Sequence, residues 1–217
     1  MISDDDWKKL IRLHQLTKKY FLKAEESDES LKTWFPPINE HRYAYDHLMR
    51  VKAREYGFRS SPDEETQTEE EPLTDEDYIQ ENFRTCLNHE MRAFYDAVER
   101  LAISLRDSIS TMLDGYSPST ITKALPDWYT EIKPALIKIN DDIALQRERK
   151  DVGDDRIGEI EKIASIVDRL RDYEKTVSRA VPSILDFKKE ERGELIRRWI
   201  IAGLGWIIAL WSLFFKS

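Results

Sequence analysis

From Thr74 to Asp114 the chain repeats apolar residues every three or four positions for some forty residues: Ile79, Phe83, Cys86/Leu87, Met91, Phe94, Val98, Leu101, Leu105, Ile109 and Met112. A run of this period and length is compatible with one long helix buried along a stripe and with little else. Thr74-Asp-Glu-Asp77 ahead of it has the form of a capping box, and Gly115-Tyr-Ser-Pro118 behind it is a stop. Strand-like alternation is scarce elsewhere and there are only 7 glycines. The expectation is therefore an all-α fold, an up-and-down helical bundle around a long central helix, with a C-terminal transmembrane helix added.

The other helices follow from the same spacing. Trp7, Leu10/Ile11, Leu13, Leu16 and Tyr20/Phe21 mark an N-terminal helix over 4–24, with Ser3 as N-cap and three aspartates in the first turn. Tyr43, Tyr45, Leu48 and Val51 mark a second over 39–56. Ser117 and Pro118 open a short turn, stopped by Pro126. Trp128, Ile132, Leu136, Ile139 and Ile143 predict a helix kinked at Pro134. Ile157 to Val177 marks another, and Pro182 is read as the start of the last, which runs on into the tail. Residues 59–74 hold a dense acidic block without large apolar residues and read as a mobile loop. The expected organisation is an N-terminal helical pair over 1–58, that loop, a main bundle over 75–194 packed with the pair as one domain, and an anchor over 195–217. Asp151-Val-Gly-Asp-Asp155 reads as a turn.

The tail sets the expected location. Trp199 to Phe215 is seventeen residues without a charge, flanked by Arg197-Arg198 and Lys216. As a helix it is about 25 Å long, slightly under a ~30 Å hydrocarbon core. Cations ahead of it and interfacial aromatics at both ends predict a single-pass tail anchor with the body in the cytoplasm. Ala202, Gly205, Ala209 and Ser212 form a small-residue stripe suited to helix packing within a bilayer. A single cysteine, Cys86, excludes an internal disulfide and fits a reducing compartment.

Net charge narrows the partners. The formal charge is −8, and leaving out Lys216 makes residues 1–198 −9, which argues against broad nucleic-acid binding but leaves room for a small local RNA site. No cofactor is expected and no metal site: the four histidines, His14, His41, His47 and His89, have no zinc-type spacing. No glycine-rich phosphate loop and no nucleophile elbow occurs.

Two segments stand out, Arg42-Tyr-Ala-Tyr-Asp46-His47 and Arg84-Thr-Cys-Leu-Asn88-His89, each an arginine, four residues and a histidine. This is similar to the Arg-x(4–6)-His motif of the HEPN superfamily, small helical bundles that include metal-independent endoribonucleases and toxins. The resemblance implies a cleft where two such motifs meet, between protomers in that superfamily. It implies histidine as base toward an RNA 2′-hydroxyl and arginine as support for phosphorane charge. The residue after the arginine, usually Asn, Asp or His there, is Tyr43 and Thr85 here. Arg42, Asp46 and His47 are the first catalytic candidates, with Asp46 orienting the imidazole. Arg84, His89, Arg92 and Asp96 form a second polar stripe. The same residues also read as structural ion pairs, Arg42, Asp46 and Arg50 making a ladder along one helix face.

Three functions are consistent with these features. The leading one is a tail-anchored, non-enzymatic bundle that binds an unidentified protein partner or clusters as a homo-oligomer at the bilayer, in stress or defence signalling. The others are a membrane-tethered endoribonuclease of HEPN type, with RNA as partner, and an oligomer that permeabilises the membrane.

Overall fold

The computed structural model of the chain describes residues 1–27, 35–58, 73–148 and 157–214. Residues 59–72 of the acidic loop expected over 59–74, and the turn at Asp151–Asp155, lie outside the described residues. All regular structure among the described residues is helical: α1 (Asp4–Ser27), α2 (Phe35–Glu55), α3 (Asp75–Leu113), α4 (Pro118–Ala124), a π-helical turn (Trp128–Ile132), α5 (Lys133–Glu148) and α6 (Ile157–Phe214). By contact the chain divides into two compact units. Met1–Leu105 with Asp141–Arg169 forms the first, and Arg106–Asn140 with Leu170–Ser217 the second.

The helix ends form for local reasons. The Ser3 hydroxyl accepts from the Asp6 amide at 3.2 Å, and Thr74 does the same for Asp77 at 3.1 Å, capping α1 and α3 over acidic first turns. Gly57 closes α2 at φ 80°. Its amide donates to Arg54 O and the Phe58 amide to Ala53 O, the paired bonds of a Schellman ending that needs a left-handed residue there.

Two prolines depart from the expected roles. Ahead of Pro134 the chain takes a π turn in place of a kinked α-helix, with the Ile132 and Lys133 amides reaching back to Asp127 O and Trp128 O. Pro134 has no amide to close the usual bond, and a wider turn before it absorbs the defect. Pro182 lies inside α6 and does not start a helix. Val177, Ala180 and Ile184 are buried on either side of it, so packing holds the helix through the missing bond.

In the first unit α1 and α3 run in the same direction and α2 against them. Glu76 lies on the N-terminal amine and Ser104 on Ser27 O, whereas Arg54 reaches Asp75 and Glu40 reaches His89. The core between them holds Leu10, Ala44, Val51, Phe83 and Cys86, with Trp7 edge-on to Phe83 at 5.1 Å. Deeper along α1, Tyr20 meets Phe94 edge-on, both fully buried. The Tyr20 hydroxyl donates to Asp168 at 2.9 Å, and Lys23 reaches the same carboxylate. In the second unit Ile109, Ile121, Trp128, Ile132, Ile139 and Val177 are buried, and Ser117 caps α4 while bonding Glu191.

The anchor expectation is overturned. Among the described residues no helix is long and apolar enough to cross a membrane. In α6 the uncharged stretch starts after Arg197-Arg198 and the helix is described to Phe214, sixteen residues, or about 24 Å against ~30 Å of hydrocarbon. Gly203, Gly205 and three tryptophans further dilute its hydropathy. With the transmembrane helix over 195–217 goes the single-pass membrane location with a cytoplasmic body. Of the small-residue stripe, Ala202 and Gly205 are exposed and a Cβ at Gly205 would meet nothing within 4 Å. The side chains of Ala209 and Ser212 lie outside the described residues.

Two stability outcomes follow from this packing. Phe94→Ala removes a fully buried ring and is expected to cost about 3–5 kcal/mol, read from urea denaturation midpoints. Burial pushes the Asp168 carboxyl up, but Lys23, the Tyr20 hydroxyl and Lys19 outweigh it and hold the group below its ordinary value. A carboxyl lowered by folding contributes stability that is complete above its unfolded pKa, about 3.9, and is lost as the pH falls through the folded value. Asp168→Asn is therefore less stable than wild type at neutral pH, and the gap closes below about pH 4. A gap that holds constant into acid contradicts this role for Asp168.

Candidate functional site

All four histidines of the chain lie in one polar cluster where α1, α2 and α3 meet. His14 comes from α1, Glu40, His41 and His47 from α2, and Asn82, His89 and Glu90 from α3. Ala44 and Val51 on α2 and Phe83 and Cys86 on α3 are buried. Burying those apolar stripes leaves the flanking polar positions facing one another along the seam.

Because α2 and α3 are antiparallel, two similar sequences pair crosswise. Glu40-x-Arg42-x4-His47 and Asn82-x-Arg84-x4-His89 share the arginine and histidine at one spacing, and each histidine is held by the residue that opens the other segment. His47 Nδ1 lies 2.9 Å from Asn82 Oδ1, and His89 Nδ1 lies 2.7 Å from Glu40 Oε2. The two imidazoles stack at 5.4 Å with 16° between planes. Asn82 donates its amide nitrogen to Tyr78 O at 2.9 Å, so its oxygen faces His47. His47 Nδ1 must then carry the proton, which leaves Nε2 as the basic edge.

A second pair sits beside the first. Glu90 is 2% exposed, and its two oxygens meet different imidazoles, His41 Nδ1 at 2.8 Å and His14 Nδ1 at 3.3 Å. Those rings also stack, at 5.0 Å and 19°. Burial pushes the Glu90 carboxyl up, but the bond and charge of His41, aided by His14, bring it below its usual value. The bond to Glu90 in turn raises His41 against the opposing effect of burial. Cys86, buried near Glu90, is pushed up to about 12 by desolvation and by that carboxylate, so its thiol is no nucleophile at neutral pH.

The candidates picked from sequence are distributed unevenly around this cluster. His47 and His89 stand at its centre. Arg42 is exposed, its guanidinium 5.2 Å from the Tyr43 ring, and Tyr43 leans on His89 at 5.5 Å. Arg84 is exposed on α3. Asp46 does not orient His47: it pairs with Arg50 at 3.0 Å, as the ion ladder predicts, and Asn82 holds the imidazole instead. Arg92 is exposed and Asp96 half-buried, one and two turns beyond His89.

Sequence reasoning missed Glu40, Asn82, His14, His41 and Glu90 as members of a site. His41 and Glu90 are 49 positions apart and His14 and Glu90 76, so no short spacing joins them. Glu40 and Asn82 stand at the same offset before Arg42 and Arg84 but are different residues, so no repeat marks them. Among the described residues, His14, His41 and Glu90 are also the one group whose ligand atoms lie close enough to hold a metal ion. Comparison with protein-family models, with curated proteins and with solved structures finds no match for this chain.

Proposed function

We propose that the chain is a metal-independent endoribonuclease whose site is the crosswise pair of Arg-x4-His segments on α2 and α3. The observation that carries this reading is the reciprocal bonding of His47 to Asn82 and His89 to Glu40, which stacks the two motif histidines in one chain. Cleavage of RNA without a metal needs one group to take the 2′-hydroxyl proton and a second to give a proton to the departing 5′-oxygen. His47, with its proton fixed on Nδ1 by Asn82, offers Nε2 as the base. His89, oriented by the Glu40 carboxylate, is the acid. The 2′-oxygen then attacks phosphorus, the P–O5′ bond breaks and a 2′,3′-cyclic phosphate remains.

Arg42 and Arg84, at corresponding positions of the two segments, supply positive charge for the phosphorane. Tyr43 and Tyr45, both exposed on α2, offer faces on which unpaired bases stack. The body's negative charge disfavours long duplexes and favours short single-stranded substrates held at this local site.

The test is cleavage of a labelled single-stranded RNA by the full chain in excess chelator. The expected products end in a cyclic phosphate, and the matching DNA, lacking the 2′-hydroxyl, is not cut. His47→Ala and His89→Ala are each expected to lower the rate about 10²–10⁴-fold, with circular dichroism unchanged. Cleavage by the double variant at the wild-type rate overturns the proposal, as does absence of RNA cleavage by the folded wild-type chain.

A further inference from the structure

We infer that His14, His41 and Glu90 form a binding site for one divalent transition-metal ion of the zinc class, which ties α1 to α2 and α3. This site uses none of the residues assigned to RNA cleavage and does not depend on that reading.

The argument starts from Glu90. A carboxylate buried to this degree among helices is costly unless charge and hydrogen bonds compensate it. Its partners are two imidazoles, each presenting Nδ1 to a different oxygen, and no lysine or arginine is paired with it among the described residues. The three ligand atoms already lie within 4.8 Å of one another. A tetrahedral zinc ion with bonds of about 2.0–2.1 Å places its ligands about 3.3 Å apart. His14 and His41 are each about half-exposed at the side chain, 48% and 46%. Modest turns of these two rings therefore close the remaining distance while Glu90 stays in place.

The backbone on the buried side is held as well. Thr17 donates its hydroxyl to Leu13 O and approaches Glu90 O at 3.4 Å, bracing α1 against α3 one turn from His14. The exposed edges of the two rings give an ion and a completing water molecule a path from solvent. Binding displaces the Nδ1 protons that face the carboxylate: each ligating imidazole is neutral with one proton on Nε2, any second proton passes to solvent, and the divalent charge faces the buried anion. Two nitrogens and one oxygen suit zinc, cobalt, nickel or copper, and suit magnesium and calcium poorly, since those ions prefer all-oxygen shells.

Full-length protein stripped with chelator and dialysed is to be titrated with Zn²⁺ by calorimetry, with thermal unfolding followed in parallel. One equivalent is expected to bind, and the unfolding temperature to rise with Zn²⁺ concentration. Co²⁺ in its place is expected to give the visible absorption of a low-coordinate site. His14→Ala and His41→Ala should each weaken binding more than the ~10–100-fold that outer-shell partners contribute, while His47→Ala leaves it intact. His14 is half-exposed, so its variant remains a test should Glu90→Gln fail to fold. No saturable Zn²⁺ binding by the wild type overturns the site, and so does undiminished binding by the His14→Ala/His41→Ala double variant. Because RNA cleavage is assayed in chelator, loss of one proposal leaves the other readable.

Discussion

Glu90 is a carboxylate at a helix junction where water scarcely reaches, and the surrounding polar groups are arranged around it. A buried charge left unopposed costs several kcal/mol, so the helices packed against this point must bring groups that answer it. His41 does so from α2 and His14 from α1. Each placement constrains its helix: His41 sets the register of α2 against α3, and His14 sets the rotation of α1 about its axis. The close-packed apolar stripes already resist slips along the seam. The pairing at Glu90 penalises them, because a slip would leave the carboxylate without partners.

The same register brings the second histidine pair together. With α2 and α3 antiparallel and His41 paired with Glu90, the neighbouring Glu40 meets His89, and His47, nearly two turns on, meets Asn82. Two short segments of similar sequence thus face each other across a local two-fold relation. Such symmetry in other proteins commonly comes from two copies of a chain. Here one chain contains both halves, which share the arginine and the histidine and differ at the other six of eight positions, the opening residue among them. A carboxylate holds one imidazole and a neutral amide the other.

The helices were largely legible in the linear pattern. The apolar period that predicts Thr74–Asp114 yields Asp75–Leu113, and Ser3, Thr74 and Ser117 cap as their side chains dictate. The prolines were less legible. Whether a chain breaks, widens or continues at proline depends on what packs around it, as the π turn before Pro134 and the unbroken helix through Pro182 illustrate. The tail was over-read. Its lack of charge suggested a membrane span, but over the described residues its length, its glycines and its tryptophans fall short of one.

At the site, periodicity placed His47 and His89 on helices and their shared spacing marked them as related. It assigned Asp46 to His47, a neighbour in sequence, because local spacing is all that a linear reading can see. By itself the sequence determined the helical class, the capped starts of α1, α3 and α4 and the existence of two Arg-x4-His segments, since these depend on contacts within a few residues. Only the tertiary structure decided which groups meet across helices: Asn82 with His47, Glu40 with His89, and His14 and His41 on the two oxygens of Glu90. Those partners lie 35 to 76 positions apart. What joins them is the direction and register of packed helices, which the linear order leaves open until the core forms.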